Sequence, residues 1–181
     1  MDQTTKATID KLPVEIRRDA AFLASIAIED DVGAVVRATG HIQDLMLRLL
    51  LRNLERPELV KPSAYSYAAL VRWCRLLGEI TDELAEALTL LVTIRNPLAH
   101  DLMHQPEAAA IQRFYDALPS GALKENMVKV QEHGLVFAEM SKDARLLRLG
   151  LLLAAGGLNE CLEHPVPRTR LRTERPPETR N

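Results

Sequence analysis

Apolar residues recur every three or four positions along most of this 181-residue chain. That spacing places side chains on one face of an α-helix, whereas a half-buried strand alternates at every second residue. No convincing stretch of such alternation occurs in the sequence. The apolar stripe between positions 30 and 54 comprises Val35, Ile42, Leu45, Met46, Leu49 and Leu50. The spacing therefore predicts helices that pack together through one apolar face.

The amino-acid composition also favours a helical fold. Leucine occurs 30 times, whereas aromatic residues make up 4% of the chain and glycines number 8. Leucine is a good helix former, while strands prefer β-branched and aromatic residues. We therefore predict an all-α fold, a single compact bundle of six or seven helices with a disordered C-terminal tail. The length fits one domain at residues 13–164, between a polar segment of residues 1–12 and an Arg/Pro-rich tail of residues 165–181.

Capping residues and prolines set the predicted helix boundaries. The acidic residues 30–31 can cap the second helix, Thr81 can cap the fourth, and Gly78 stands where a C-terminal cap is expected. Pro97 predicts that the fourth helix ends near Asn96, because a proline ring disfavours helical geometry in the preceding residue. The predicted helices cover about residues 13–28, 31–54, 67–77, 81–96, 106–118, 121–140 and 141–163.

The charge distribution disfavours one broad class of function. The net charge is −2, and residues 165–181 carry five arginines and two glutamates, or +3, so residues 1–164 carry −5. Sequence-independent nucleic-acid binding relies on many Lys and Arg contacts to phosphate, so a generally basic nucleic-acid binder is not expected. The tail segment 168–172 (RTRLR) can contact RNA or an acidic partner, although a solvated terminus is the simpler interpretation.

Cysteine usage and hydropathy predict the compartment. Cys74 and Cys161 are the two cysteines, which is too few for a disulfide framework. The N-terminal residues 1–13 are polar and lack the apolar core of a signal peptide, and the apolar run at 149–158 is too short to span a membrane. We predict a cytoplasmic protein with both thiols reduced and no contact with a membrane.

The third predicted helix carries three residues that draw attention as candidate sites. Tyr67 and Trp73 lie near apolar positions of this helix, and we interpret them as core or interface anchors rather than as a stacking platform. Cys74 lies on the apolar face and is predicted to be an inert buried thiol. No nucleophile with a neighbouring base is indicated here.

The most informative segment is TIRNPLAHD at positions 93–101. Arg95 extends the apolar stripe of the fourth helix by four residues, so its charge lies in line with the packed face. Because an isolated buried charge is costly, Arg95 needs a partner or must open into a cleft. His100 follows beyond the expected break at Pro97. We therefore expect the arginine and the histidine to converge at a helix terminus, where irregular backbone often builds sites.

The segment Arg95-Asn96-x-x-x-His100 resembles the R-x-x-x-x-H motif of the HEPN superfamily, in which asparagine often follows the arginine. The region before it, from residue 66 through the turn LGEI at 77–80, is similar to the mannitol-repressor-like branch of helical proteins. That branch has a short helix, an L-G-x-I turn and a helix that ends in R-N-x-x-A-H or a relative. The resemblance covers roughly residues 30–104.

The resemblance implies an all-α protein that is commonly a homodimer, and many HEPN proteins are metal-independent ribonucleases. It implies that Arg95 stabilises the phosphorane charge, that His100 is general base or acid toward the ribose 2′-hydroxyl, and that Asn96 orients His100 or holds the turn. Such residues suit this chemistry, since histidine titrates near pH ~6.5 and arginine binds phosphate through two hydrogen bonds. The enzyme would be a toxin or defence effector, with an antitoxin as a protein partner.

The mannitol-repressor-like branch implies a second class of function, a catalytically silent transcriptional regulator that acts through protein–protein interaction. No helix-turn-helix stands out, which favours this interpretation over a conventional repressor. Arg95 would then be structural and paired with an acid such as Asp30, Asp31 or Asp44. In the enzyme interpretation Asp30 or Asp31 is instead a possible supporting acid that approaches Arg95 or His100.

A metal site is the weakest interpretation of this region. Histidines at positions 100 and 104 share one helix face, but a zincin has glutamate where Asp101 stands. An HD-type phosphohydrolase requires an upstream histidine and a downstream aspartate, for which His41 and Asp116 are available without support from their context. We therefore predict no metal and no cofactor.

Overall fold

The computed structural model describes residues 20–61, 63, 65–101, 104–121, 124–125, 137 and 139–165. These residues contain six α-helices and no strand, which confirms the predicted all-α fold. A 3-10 turn at Pro57–Leu59 lies between the second and third helices. The helices are α1 (Ala20–Ile28), α2 (Asp31–Leu51), α3 (Tyr67–Leu76), α4 (Asp82–His100), α5 (Ala108–Ala117) and α6 (Lys142–Glu163).

Three of the predicted segments lie largely or wholly outside the described residues. These are the polar segment 1–12, most of the predicted helix 121–140, and the tail 165–181 apart from its first residue. Among the helices that are described, none combines the length and the apolar character needed to cross a membrane.

Polar side chains start four of the six helices. Each accepts a hydrogen bond from the backbone N–H three residues ahead, which satisfies a donor that has no partner within the helix. The capping residues are Asp30, Ser66, Thr81 and Ser141. At the other end of α3, Gly78 adopts a φ of 68°, the left-handed conformation typical of a residue after a helix, as predicted.

Helices α2 and α6 form the centre of the bundle. They share the most extensive helix–helix contact, while α1, α3 and α4 pack on α2, and α5 packs on both α4 and α6. The predicted apolar stripe of α2 is buried at every position. Between Leu147 and Gly156 every residue of α6 is buried, as expected for a helix surrounded by others.

Gly150 allows α5 to approach α6 closely. A Cβ atom placed at position 150 would lie 2.7 Å from a ring carbon of Phe114, which is shorter than packed carbon atoms allow. Phe114 is fully buried, so its ring has little room to move. The glycine is therefore required by packing.

Two predicted helix ends are wrong. Helix α2 ends at Leu51, not near residue 54. Helix α4 does not stop before Pro97 but continues through it to His100. Proline removes one backbone donor from the helix. Two observations favour continuation of the helix: Leu98 is fully buried, and the N–H of Asp101 donates to the carbonyl of Pro97 at 3.0 Å. Burial therefore overrides the local preference.

Candidate functional site

A cleft of about 560 Å³ opens between α2, the start of α3 and the end of α4. This volume lies within the range of small-molecule sites in proteins. The described residues of its wall are Val36, Thr39, Gly40, Gln43, Ser66, Tyr67, Arg95 and Leu98. The cleft therefore brings Arg95, one of the predicted site residues, together with residues of two other helices.

Arg95 supplies positive charge to this cleft. Its side chain is exposed, and none of the carboxylates in the described part of the chain forms an ion pair with it. The three leucines that precede it on the same stripe of α4 are buried. A charge in line with a packed face was expected either to have a partner or to open into a cleft. Arg95 opens into a cleft.

The acids considered as partners of Arg95 are engaged elsewhere. The carboxylates of Asp30, Asp31 and Asp44 are held, respectively, by the backbone N–H of Gly33 at 2.7 Å, by Arg148 at 2.5 Å and by Arg48 at 2.6 Å. The predicted pairing of Arg95 with one of these acids is therefore wrong. Asp30 and Asp31, the possible supporting acids, are not among the described residues of the cleft wall.

The continuous helix separates Arg95 from His100. Five residues of α-helix turn the side-chain direction by about 140° and advance it by about 7.5 Å. Both side chains are exposed, but His100 is not among the described residues of the cleft wall. The expected convergence of the two at a helix terminus within one chain is therefore wrong, because α4 does not break at Pro97.

Asn96 lies four residues before His100 on the same helix. Residues at this spacing are neighbours on a helix surface, and both side chains are exposed. The arrangement is compatible with the role that the resemblance implies for Asn96, which is to orient His100. It also places the amide of Asn96 outside the described cleft wall.

Tyr67 contributes a buried hydroxyl group to the site. The residue lines the cleft and packs against the core, as predicted for an anchor. Its hydroxyl oxygen is buried without a hydrogen-bond partner among the described residues. Burial raises the pKa of Tyr67, so the group is a neutral donor. An unsatisfied buried hydroxyl is costly and calls for an explanation.

The start of α3 adds to the positive potential of the cleft. Ser66 caps this helix by accepting from the N–H of Ala69 at 3.2 Å. The first N–H groups of a helix have no acceptor within it and carry a partial positive charge. Ser66 and Tyr67, which stand at this terminus, both belong to the cleft wall. Arg95 and the helix start therefore favour a negatively charged ligand.

Two arginines that the sequence did not single out are structural. Arg148, on α6, is 2% exposed, and Arg52 pairs with the buried Glu79 while donating to the carbonyls of Cys161 and Leu162 at 2.9 and 3.1 Å. Both side chains are satisfied by protein groups, which leaves them no evident capacity for a ligand. In the sequence, Arg148 could have been recognised as a charged residue within the apolar run of α6.

Neither the cysteines nor the histidines of the described residues form a reactive cluster. Cys74 is fully buried, as predicted, and burial raises the pKa of its thiol to about 12. Over the described ranges, no three His, Cys, Asp or Glu side chains are grouped so that they could hold a metal ion.

Comparison of the sequence with known protein families and with curated proteins finds no match, and comparison with solved structures also finds none. The arguments about function therefore rest on the residues of the cleft and of the segment 93–101.

Proposed function

We propose that the protein is a metal-independent endoribonuclease of the HEPN type, in which Arg95 binds the phosphodiester and His100 transfers the proton. The observation that carries the proposal is the state of Arg95, which is exposed in a cleft wall and unpaired among the described residues. An arginine in this state is available to an oxyanion. The R-x-x-x-x-H resemblance supplies the histidine. The two free cysteines suit the reducing cytoplasm, which is where we propose that the enzyme acts.

The proposed reaction is an intramolecular displacement at phosphorus. His100 accepts the proton of the ribose 2′-hydroxyl, and the 2′-oxygen forms a bond to phosphorus. The bond from phosphorus to the 5′-oxygen of the next nucleotide breaks, and that oxygen takes up the proton, which passes from His100 through water, so that His100 is regenerated. The products are a 2′,3′-cyclic phosphate and a 5′-hydroxyl. Arg95 stabilises the charge on the equatorial oxygens, and Asn96 holds the imidazole.

The geometry of α4 favours a site shared between two copies of the chain. Because the side chains of Arg95 and His100 leave the helix about 140° apart, one phosphate does not readily contact both in a single chain. A symmetric dimer presents the same surface twice, so Arg95 of one copy can meet His100 of the other. We therefore include a homodimer in the proposal.

An RNA-cleavage assay in the presence of EDTA tests the activity. Wild-type protein is expected to leave 2′,3′-cyclic phosphate ends, and both Arg95→Ala and His100→Ala are expected to lose cleavage while remaining folded. Arg113→Ala and His164→Ala are matched controls, because both side chains are exposed away from the cleft wall. Cleavage that persists in the His100→Ala variant, or that requires a metal ion, would contradict the proposal.

Mixing the two inactive variants tests the shared site. In a heterodimer of Arg95→Ala and His100→Ala chains, one of the two composite sites is intact. Random mixing therefore restores about a quarter of wild-type activity if the residues act across the dimer. If each site lies within one chain, the mixture stays inactive, and the dimeric arrangement fails while the activity of the wild type stands.

A second candidate function has its own supporting observation. Trp73 and Leu76 on α3 and Leu77 directly after it are 47%, 65% and 41% exposed, and exposed apolar clusters often mark protein interaction surfaces. This favours a non-catalytic regulator of the mannitol-repressor-like kind, which binds another protein. If wild type cuts no RNA, a partner retained by wild type and lost by the Trp73→Ser/Leu76→Ser double variant supports this function.

A further inference from the structure

We propose that the cleft beside Arg95 is a binding site for a small organic monoanion, whose carboxylate head contacts Arg95 and whose apolar body lies against Val36. This inference goes beyond the proposed function, because it concerns a small-molecule effector and requires no RNA cleavage. It shares Arg95 with that function, so a bound carboxylate and an RNA phosphate would compete for the same guanidinium.

The charge of the cleft selects the head group. Among the described wall residues Arg95 is the one cationic side chain, and no acid stands beside it in the wall. The guanidinium can hold a carboxylate through two parallel hydrogen bonds. A phosphate monoester carries about −1.5 to −2 at neutral pH, which a single arginine only partly balances. A singly charged carboxylate matches this wall better.

The hydroxyl of Tyr67 is an independent observation that indicates a ligand. It is buried in a residue of the cleft wall and has no hydrogen-bond partner among the described residues. Because burial raises its pKa, the group remains a neutral donor to an oxygen atom. The oxygen itself is buried, so a ligand oxygen reaches it when the Tyr67 side chain shifts toward the cleft, and it would then supply an acceptor that the described residues do not.

The wall also offers apolar surface. Val36, which belongs to the cleft wall, is 51% exposed although it is a large apolar residue. A Cβ atom placed on Gly40 would meet none of the described residues within 4 Å, so the glycine leaves this part of the cleft open. The volume of about 560 Å³ exceeds what a bare anion fills, which favours an anion that carries a ring or a short chain.

Gly40 offers a pair of variants that separate blocking the cleft from disturbing the fold. Gly40→Ala adds one methyl group into open space in the middle of α2, so the cleft remains usable. Gly40→Met adds a long flexible side chain at the same position and fills the cleft. Both residues favour a helix more than glycine does, so both variants are expected to fold.

The test is a nuclear magnetic resonance titration of ¹⁵N-labelled full chain with benzoate. Wild type is expected to show saturable shifts of the signals from cleft residues, and Gly40→Ala is expected to bind with an affinity between those of wild type and Gly40→Met. Arg95→Gln and Gly40→Met should weaken binding at least tenfold, and the neutral isostere benzamide should not bind wild type. The Tyr67→Phe variant should bind benzoate about fivefold more weakly than wild type, while its melting temperature equals or exceeds that of wild type. A purely structural role of the hydroxyl would not produce this combination.

Each contrary outcome has a defined meaning. No saturable shift in the cleft, or equal affinity in wild type and Arg95→Gln, overturns the inference. Tighter binding of inorganic phosphate than of benzoate overturns the choice of carboxylate. The His100→Ala variant should bind benzoate like wild type. A chain that binds benzoate but cuts no RNA contradicts only the proposed ribonuclease, whereas a chain that cuts RNA without binding benzoate contradicts only this inference.

Discussion

The guanidinium of Arg148 on α6 donates to the carboxylate of Asp31 at the start of α2, at 2.5 Å. The same side chain donates to the carbonyls of Ile26, Glu29 and Ala144 at 3.0, 2.5 and 3.0 Å. These bonds attach the end of α1 and the start of α2 to the central helix. Every bond involves a charged donor, which makes such bonds stronger than neutral ones, and the arginine is buried.

Removing this arginine should strongly destabilise the bundle. Arg148→Ala leaves the buried carbonyls and Asp31 without their donor and opens space beside α1. We expect a loss of about 3–5 kcal/mol in the free energy of unfolding, measured by urea denaturation. Arg113→Ala, at an exposed position of α5, should change it by less than about 0.5 kcal/mol. Similar values for both variants would show that the buried network contributes little.

Removing the hydroxyl of Tyr67 should not destabilise the free protein. Because the oxygen is buried without a described partner, Tyr67→Phe eliminates an unsatisfied polar group and keeps the ring. We expect the free energy of unfolding to stay constant or to rise by about 1 kcal/mol. Thermal denaturation without ligand is the measurement. A clear decrease would mean that the hydroxyl has a partner after all.

Adding a methyl group at two glycines should have opposite effects. Gly150→Ala forces its Cβ against the ring of Phe114, and we expect a loss of about 1–3 kcal/mol in the free energy of unfolding. The methyl group of Gly40→Ala, in the middle of α2, meets none of the described residues within 4 Å, and we expect a gain of up to about 1 kcal/mol in the free energy of unfolding. Chemical denaturation of both variants checks the pair. An equal change in both would exclude the close contact as the cause.

The buried thiol predicts both a reactivity and a pH dependence. Burial raises the pKa of Cys74 to about 12, so the thiol is protonated at pH 8 and should react much more slowly with iodoacetamide in the native protein than after unfolding. The unfolded chain loses this proton near pH ~8.5, while the folded chain keeps it. Between about pH 8.5 and 10 the folded state therefore binds more protons, and stability should fall as pH rises.

The contribution of this thiol can be isolated by substitution. One thiol contributes a slope of at most about 1.4 kcal/mol per pH unit in this window. The Cys74→Ala variant should show a smaller decrease in stability than wild type over the same window, in a comparison of urea unfolding at pH 8 and pH 10. Parallel pH profiles for the two proteins would rule out the shifted thiol as the source.

Local chemistry explains which parts of the fold were predictable. The apolar stripe of α2, the caps Asp30 and Thr81 and the left-handed Gly78 each depend on residues within a few positions of one another. Such preferences act whatever the rest of the chain does. The cap at Ser66 follows the same rule, since the residue stands directly before the first apolar positions of α3.

Position 97 shows where local preference failed. Taken alone, a proline predicts the end of a helix, and a break at Pro97 would place Arg95 and His100 on either side of it. Leu98, the residue directly after Pro97, is buried, and its packing keeps the helix intact. This packing is a tertiary property, and it separates the two residues by about 140° around the helix axis.

Within the described residues, the sequence by itself determined the six helices apart from the ends of α2 and α4, most of the caps, and the identity of Arg95 as a charge that needs either a partner or a cleft. Only the tertiary structure decided between those outcomes, because it assigned Asp31 to Arg148 and placed Arg95 beside Tyr67 in a cleft of three helices. The physical reason is the range of the interactions. Helix propensity and capping act over a few residues, whereas ion pairing, burial and clefts depend on segments that meet only when the bundle has packed.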